Sequence, residues 1–271
     1  MSKILSFASW NVEQFQGRRE RVDRVVGLLA EHDPDVFAIF EVKGRDVFSA
    51  LMSQMPSHSF TITESTSPIE ILVGVRRSIR SFVTQRDELQ SKVPTLRPGA
   101  LATLRHDSGE DYVFLFLHPK SFESPRDWGL RDDMFAHAAS LKRKLDKVVG
   151  PARRANFVVM GDLNTMGLNA AWNDKSDLEA DDEIAFLEKR MRSVKMVRLP
   201  KTDEASWWNG KDNWDPAKLD HAFAAEHLRF KQFNGKSIKV IGWPELDDKT
   251  ERLQWIETFS DHAMLFGQIE A

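Results

Sequence analysis

Short apolar runs alternate with amphipathic helical patterns along the whole chain of 271 residues, and no linker or repeat interrupts this alternation. Apolar runs of about four to eight residues that are bounded by turn residues are typical of buried strands. Strands and helices that alternate in this way fold into α/β layers. A chain of this length can bury about three quarters of its unfolded surface in one domain. We therefore predict a single α/β domain over residues 1–271.

The predicted strands are short runs rich in β-branched and aromatic residues, namely KILSFASW, DVFAIF, IEILVGVR, YVFLFLH, NFVVM, HAFAA and HAMLFGQI. Two segments carry apolar residues at helical spacing, ERVDRVVGLLAEH and LRDDMFAHAASLKRKLDKVV. Residues 168–216 follow neither pattern closely, and we expect an elaborated loop region with one helix, DDEIAFLEKRMRS. We expect its tryptophans to pack a small core rather than to stack on nucleobases, these being Trp172, Trp207, Trp208 and Trp214.

Chemically active side chains stand at the ends of these predicted strands. Four come directly after a strand and three come directly before one: Asn11, Glu41, His118 and Asp162, then Asp220, Asp261 and His262. If the strands run in both directions, all of these ends meet along one edge. Functional residues usually lie on loops that a rigid scaffold holds in place. We therefore predict one polar site at this edge.

The stretch GDLN places Asp162 and Asn164 two residues apart at the end of a buried strand. Alone, such a stretch is also typical of a turn, because Asp and Asn side chains cap turns and helices. Next to the other polar strand ends it favours catalysis instead. Asp162 is suited to orient or deprotonate an attacking water, and Asn164 is suited to fix the geometry of a phosphate.

A hard divalent cation is the cofactor that this residue set suits. Mg²⁺ takes one or two carboxylates and completes its octahedron with water and phosphate oxygens. Glu41, helped by Asn11, is the predicted ligand pair, and Mn²⁺ is the alternative ion. Such a cation polarises a phosphoryl oxygen and orients it for in-line attack.

Histidines complete the predicted site as donors to a developing oxyanion or a leaving oxygen, and each needs a carboxylate to set its tautomer. The sequence offers two pairings, His262 with Asp220 and His118 with Glu70 on the preceding IEILVGVR strand. Sequence alone does not decide these pairings.

Composition narrows the possible chemistry and location. The chain has no cysteine, which excludes disulfides and thiol-based metal or catalytic sites. We expect a cytoplasmic protein, since the N-terminal stretch lacks the apolar length of a signal peptide and no segment reaches membrane-spanning length. Nothing in the sequence indicates an obligate protein partner. The net charge is −3, but residues 120–154 contain nine Lys and Arg against five Asp and Glu, which weakly favours nucleic acid as a partner.

The succession WNV, FEV, LHPKS, GDLN, LDHAF and SDHAML, in this order from Trp10 to Phe266, resembles the endonuclease/exonuclease/phosphatase family. The resemblance implies a four-layer fold, in which two mixed β-sheets pack face to face with helices on the outside. It also implies a divalent-metal phosphoesterase site at one rim. The residues and their implied roles are Asn11 and Glu41 at the metal, Asp162 and Asn164 at the nucleophile and phosphate, His262 on the phosphoryl group, Asp220 as the partner of His262, and Asp261 near a second or shared metal position.

His118 narrows the branch that the chain resembles. Abasic-site endonucleases of the family usually carry Tyr at this position. Pancreatic-type deoxyribonucleases, tyrosyl-DNA phosphodiesterases, deadenylases and sphingomyelinases carry His, and the chain is closest in pattern to the deoxyribonuclease-like branch. FEVKGRDVFSAL is similar to that branch too, which implies that Lys43 lies near phosphate and supports the pairing of Glu70 with His118. We predict a metal-dependent nuclease. A phosphatase or lipid phosphodiesterase is the alternative, and a binding protein on an inactive scaffold is the third hypothesis.

Overall fold

The computed structural model describes residues 2–15, 19–44, 46–170 and 174–271. Its strands are β1 (Lys3–Phe15), β2 (Val36–Val42), β3 (His58–Ile62), β4 (Glu70–Arg76), β5 (Arg80–Arg86), β6 (Gly99–Arg105), β7 (Asp111–Phe116), β8 (Asn156–Asp162), β9 (Met196–Arg198), β10 (Asp220–Ala225), β11 (Arg229–Phe230), β12 (Ile238–Ile241) and β13 (Met264–Glu270). Its α-helices are α1 (Arg19–His32), α2 (Asp46–Gln54), α3 (Pro125–Val149), α4 (Ala180–Arg192) and α5 (Lys249–Thr258). Trp172, one of the tryptophans noted above, lies outside the described residues.

These strands form two mixed sheets. The described part of the chain gives a seven-stranded sheet in the order β11-β13-β1-β2-β4-β3, with β12 also paired to β13, and a six-stranded sheet in the order β5-β6-β7-β8-β10-β9. In the first sheet β1 runs parallel to β2 and antiparallel to β13. In the second, β8 runs parallel to β7 and antiparallel to β10. The predicted mixture of strand directions is therefore confirmed.

Successive side chains of a strand point to opposite faces of its sheet, and this distributes the apolar side chains among three cores. Phe7, Phe40 and Met160 point into a core shared by the two sheets, which contains residues of both. Their neighbours face outwards, so that Ala8 packs with α1 and α2 while Val159 packs with α3 and α4. The period of two in a strand produces this division. The predicted four layers, helices outside two facing sheets, are confirmed.

The described residues between 168 and 216 contain more regular structure than the predicted loop region. The predicted helix is present as α4, and β9 follows it and extends the second sheet by pairing with β10. Buried Leu187 and Met191 attach α4 to the outer face of this sheet. The region therefore contributes a helix and an edge strand to the layers.

The site residues meet at one edge, but several strands extend further than predicted, β8 through Asp162 and β10 from Asp220 among them. Asn11 and Glu41 lie inside β1 and β2, although the sequence pattern places them just after a strand. The pairing of β1 with β2 shifts in register between Asn11 and Phe15. Irregularities of this kind re-aim side chains next to active sites. Here they coincide with a left-handed backbone at Glu41, whose φ is 63°.

No helix among the described residues has the length and apolar character needed to cross a bilayer.

Candidate active site

A cleft of about 450 Å³ opens at the edge where the ends of β1, β2, β7 and β8 meet the beginnings of β10 and β13. Most of the predicted site residues line it: Asn11, Glu41, His118, Asp162, Asn164, Asp261 and His262. Asp220 is completely buried beneath it and touches it through His262. The strand ends therefore converge as the sequence pattern predicts.

Asp162 is the centre of this arrangement. Its Oδ2 accepts a hydrogen bond from Asn11 Nδ2 at 2.9 Å and lies 3.3 Å from His118 Nε2 and 3.7 Å from His262 Nε2. Burial alone raises the pKa of the carboxyl group. The positive charge of His262 and the proximity of His118 and Asn11 outweigh burial and hold the pKa of Asp162 well below its usual range. Asp162 is therefore a carboxylate at neutral pH.

The GDLN stretch is built so that its two polar side chains face the cleft. Gly161 has a φ of 149°, and a Cβ on it would lie 2.0 Å from the backbone oxygen of Leu117, so only glycine fits. Leu163 is fully buried in the core beneath α3 and α4. Asn164 has a left-handed backbone, and its Nδ2 donates to the oxygen of Pro119 at 3.2 Å. The stretch is therefore more than a turn, because its tight geometry presents Asp162 and Asn164 together.

His262 and Asp220 form the predicted pair. Nδ1 of His262 lies 2.8 Å from Oδ2 of Asp220, which leaves Nε2 facing Asp162 and the cleft. Burial opposes the charge on the ring, but the carboxylates of Asp220 and Asp162 raise the pKa of His262 to about 10. His262 is therefore an imidazolium that can donate to an anionic oxygen.

His118 also faces Asp162, but its surroundings shift its pKa in the opposite direction from that of His262. Burial and the guanidinium of Arg97 lower the pKa of His118, and the nearby Asp162 only partly offsets them. Arg97 donates to the backbone oxygens of His118 and Pro119, each at 2.8 Å. Within the described residues the buried Nδ1 of His118 has no hydrogen-bond partner. His118 is therefore neutral at pH 7 and turns Nε2 towards the carboxylates.

The predicted pairing of His118 with Glu70 is wrong in this structure. The Glu70 carboxylate accepts from Thr63 Oγ1 at 2.5 Å and from the backbone N and Oγ of Ser65 at 2.9 and 2.8 Å. These donors lie close to Glu70 in the sequence, in the segment between β3 and β4, and they already satisfy its carboxylate without His118. A catalytic role of Glu70 stays a prediction without a contact to support it.

The metal side of the cleft contains Asn11, Glu41, Asp261 and Glu13. Partial burial and the carboxylates of Asp261 and Glu41 raise the pKa of Glu13, which shows that negative charge is concentrated there. Such a set of carboxylates fits a hard divalent cation. Asn11 Nδ2 faces Glu41 Oε1 at 3.4 Å, and Asn11 Oδ1 accepts from the backbone N of Glu13 at 3.1 Å. Asn11 would have to rotate its amide by half a turn to serve as a ligand.

A second group of potential ligands is less suited to that cation. Ligand atoms of Asp162, Asp220 and His262 all lie within 4.8 Å of one another. However, Nδ1 of His262 is already bonded to Asp220, and a protonated imidazole has no free lone pair for a metal. The Glu41 side therefore fits the predicted cation better, and a cation at Glu41 stays a prediction.

Two further residues of the cleft were not found by sequence reasoning, Arg97 and Glu13. Arg97 precedes β6, a strand that the apolar pattern does not reveal, and so it is not marked as a strand-end residue. Glu13 lies two residues beyond Asn11, where we expected a loop.

Trp207, from the tryptophan-rich region, also lines the cleft and donates from Nε1 to Asp261 Oδ2 at 2.7 Å. Lys43 lines it as well and donates to Gln14 Oε1 at 2.9 Å.

Comparisons with known proteins show what the chain is similar to. The sequence pattern that defines the Endonuclease/Exonuclease/phosphatase family matches residues 8–262. No curated protein matches the chain.

Solved structures of similar fold include D. rerio TDP2 complexed with single strand DNA product, which has a TM-score of 0.69 and 16% identity over 98% of this chain and 99% of that one. The human Nocturnin catalytic domain with bound sulfate anion has a TM-score of 0.67 and 13% identity over 98% and 94%. A mannosyl-6-phosphatase of Bacteroides thetaiotaomicron has a TM-score of 0.61 and 14% identity over 98% and 100%. At these identities the likeness shows the fold.

Proposed function

Because the chain belongs to the endonuclease/exonuclease/phosphatase family, whose members are phosphoric-ester hydrolases, we propose that it hydrolyses phosphodiester bonds of nucleic acid with a divalent cation. The observation that carries this proposal is the convergence on one cleft of Asp162, the Glu41 carboxylate, a protonated histidine and a neutral one. An in-line displacement at phosphorus needs an oriented water on one side and charge stabilisation on the other.

Asp162 orients the attacking water. Its depressed pKa makes it a permanent hydrogen-bond acceptor at neutral pH rather than a store for a proton. Asn11, which donates to Asp162 Oδ2, fixes the rotamer of the carboxylate. Asn164, held through Pro119, supplies a polar contact to the same phosphate.

His262 stabilises the charge that develops on the phosphoryl oxygens. It is protonated up to about pH 10 and is held by Asp220, so its Nε2 proton is available without reorganisation. His118 contributes a neutral donor beside it. Arg97, which faces the carboxylates of the cleft and is anchored by two backbone oxygens, provides a fixed positive charge for phosphate.

Glu41 is the residue that would hold the cation, with Asn11 and Asp261 beside it. Mg²⁺ and Mn²⁺ both suit this oxygen-rich set. A cation bound there polarises the phosphoryl group and helps to orient it.

Nucleic acid is the substrate class that the cleft favours. Lys43 and Arg97 line it together with Glu41, which supplies two cationic side chains for phosphate groups. TDP2, one of the structures of similar fold, is seen with a single-stranded DNA product. The mannosyl-6-phosphatase of the same fold makes a small phosphomonoester the second candidate.

A substrate panel with the purified protein tests this proposal. Plasmid, single-stranded DNA, RNA, a 5′-phosphotyrosyl oligonucleotide, sphingomyelin, inositol phosphates and sugar monophosphates are each incubated with Mg²⁺, with Mn²⁺ and with chelator. We expect cleavage of a nucleic acid that chelator abolishes and either ion restores.

Glu41→Gln should need more cation for half-maximal rate, whereas Glu20→Gln on the exposed face of α1 is the matched control and should behave as wild type. Hydrolysis of monoesters or lipids alone, or full activity in chelator, contradicts the proposal.

A further inference from the structure

Phe122 is a large apolar side chain that the protein exposes at the catalytic cleft. Its side chain is 62% exposed, and it lines the cleft together with Asp162 and His262. Among the described residues, no other large apolar side chain that is this exposed lines the cleft. Its φ is 80°, a left-handed conformation that is costly for a bulky residue. A strained, exposed aromatic residue at a functional site suggests a role in binding.

The backbone around Phe122 is held from below by a buried ion pair. Arg131 is fully buried, pairs with Glu183 at 2.8 Å, and donates to the backbone oxygens of Lys120 and Phe122. The same guanidinium donates to the oxygen of Gly167 at 2.8 Å. The left-handed turn is therefore held by Arg131, which does not line the cleft, and by Met166, which lines it and whose Sδ accepts from the backbone N of Phe122 at 3.2 Å.

A cation covers one face of the Phe122 ring. Lys120 Nζ lies 4.5 Å from the ring centroid and 3.9 Å from Asp127 Oδ1. An ammonium over an aromatic face is attracted by the ring electrons. Much of the ring stays exposed to solvent, and the Lys120 side chain beside it is partly exposed as well.

We propose that Phe122 stacks on the nucleobase of a nucleotide that adjoins the phosphate bound at Asp162 and His262. The inference rests on the proposed function, since it identifies how the same site recognises its nucleic acid. A planar base matches a single exposed ring flanked by a cation, because every base has an aromatic face and a phosphate beside it. A lipid chain would need a continuous apolar surface, and Phe122 has the polar neighbours Lys120 and Ser121.

Substitution of Phe122, combined with removal of single bases from the substrate, tests the proposal. Wild type, Phe122→Leu and Phe122→Trp are assayed with Mg²⁺ on short single-stranded oligonucleotides. In each oligonucleotide a stable abasic residue replaces one nucleotide next to the cleaved bond, on one side or the other. Phe186→Leu, an exposed phenylalanine on α4 away from the cleft, is the matched control.

We expect Phe122→Leu to lower kcat/KM on the complete oligonucleotide by about tenfold or more, as loss of one base–aromatic stack predicts. On the substrate that lacks the stacked base, wild type and Phe122→Leu should be equal, and Phe122→Trp should keep the wild-type preference for the base.

An equal loss on all substrates, or no loss on any, overturns the stacking role while leaving the proposed function intact. Cleavage of plasmid or RNA but of no single-stranded oligonucleotide likewise overturns the stacking role, whereas failure to cleave any nucleic acid of the substrate panel means that the proposed function itself fails.

Discussion

The two sides of Asp162 differ in a way that burial alone does not explain. His262 and His118 are both almost completely buried, 5% and 3% exposed, yet the pKa of one is raised and that of the other is lowered. His262 has a carboxylate at 2.8 Å, whereas His118 has the Arg97 guanidinium nearby and no partner on Nδ1 among the described residues. The comparison shows that neighbouring charges decide the protonation state of a buried histidine.

The two histidines therefore present different chemical groups to the cleft. On the His262 side the charge of the ring is balanced by Asp220, which is fully buried and lies 2.8 Å from Nδ1. The His118 side opens towards the Glu41 carboxylate, 3.7 Å from its Nε2, where the cation is expected. In the proposed function, the charge on His262 and a cation at Glu41 would act on the same phosphate.

The largest effect is expected from Asp162, which connects the two sides. Asp162→Asn removes the acceptor that orients the water, so kcat should fall by roughly three to four orders of magnitude while substrate binding is largely kept. Steady-state kinetics on the best substrate, with circular dichroism of the variant, measure this. Normal turnover by the folded variant would falsify the assignment of Asp162.

Leu163→Ala is the control within the same stretch. Leu163 is fully buried under the helices and points away from the cleft, so its truncation should cost about 2–5 kcal/mol of unfolding free energy. Denaturant unfolding gives this value, and the rate per folded molecule should change little. A large rate loss without destabilisation would show that the stretch is not divided as described.

The next largest effect is expected from His262 and its partner Asp220. His262→Ala should lower kcat by roughly two to four orders of magnitude, because a positioned charge is lost. Asp220→Asn should cost the same or less. The double variant should be no worse than His262→Ala, since the two residues act as one unit.

His118→Ala serves as the counterpart in the same double-mutant cycle. Its coupling to Asp220→Asn should be weaker than that of His262→Ala, because His118 does not contact Asp220. Additive losses for His262 and Asp220 would mean that the pair seen at 2.8 Å does not function as one.

A smaller effect is expected in the pH dependence of stability without metal. The unfolded chain releases the His262 proton near its ordinary pKa of 6.5, and the folded protein holds it to about 10. The stabilisation is therefore complete below about pH 6.5 and is lost as the pH rises towards 10. Asp220→Asn removes the main cause of the raised pKa, so the fall in unfolding free energy over this window should shrink. An identical fall in both proteins contradicts this origin.

Sequence reasoning predicted which residues form the site better than it predicted which of them contact one another. Asp162, Glu41 and His262 were found because each stands at the end of an apolar run, and the chain topology brings such ends to one edge. The pairing of His118 with Glu70 failed because Thr63 and Ser65 satisfy the carboxylate locally. A side-chain partner at hydrogen-bond distance depends on local donors that strand patterns do not encode.

Elements without a clear apolar pattern were missed. β5 is an edge strand with mostly exposed residues, and α5 has no buried residue, so neither has a periodic signal. The basic excess of residues 120–154 also misleads, because Arg131 and Lys142 are buried in pairs with Glu183 and Asp146. Charged side chains that form ion pairs in the interior do not contribute to a surface for nucleic acid.

The protonation states of the two histidines test the account most directly. An NMR titration of the ring nitrogens in isotope-labelled, metal-free protein measures both, with His262→Ala and Asp220→Asn used to assign the signals. The account predicts that His262 stays doubly protonated through neutral pH and loses its proton near pH 10, while His118 is already neutral at pH 7. Titration of both rings together near pH 6.5 would contradict it.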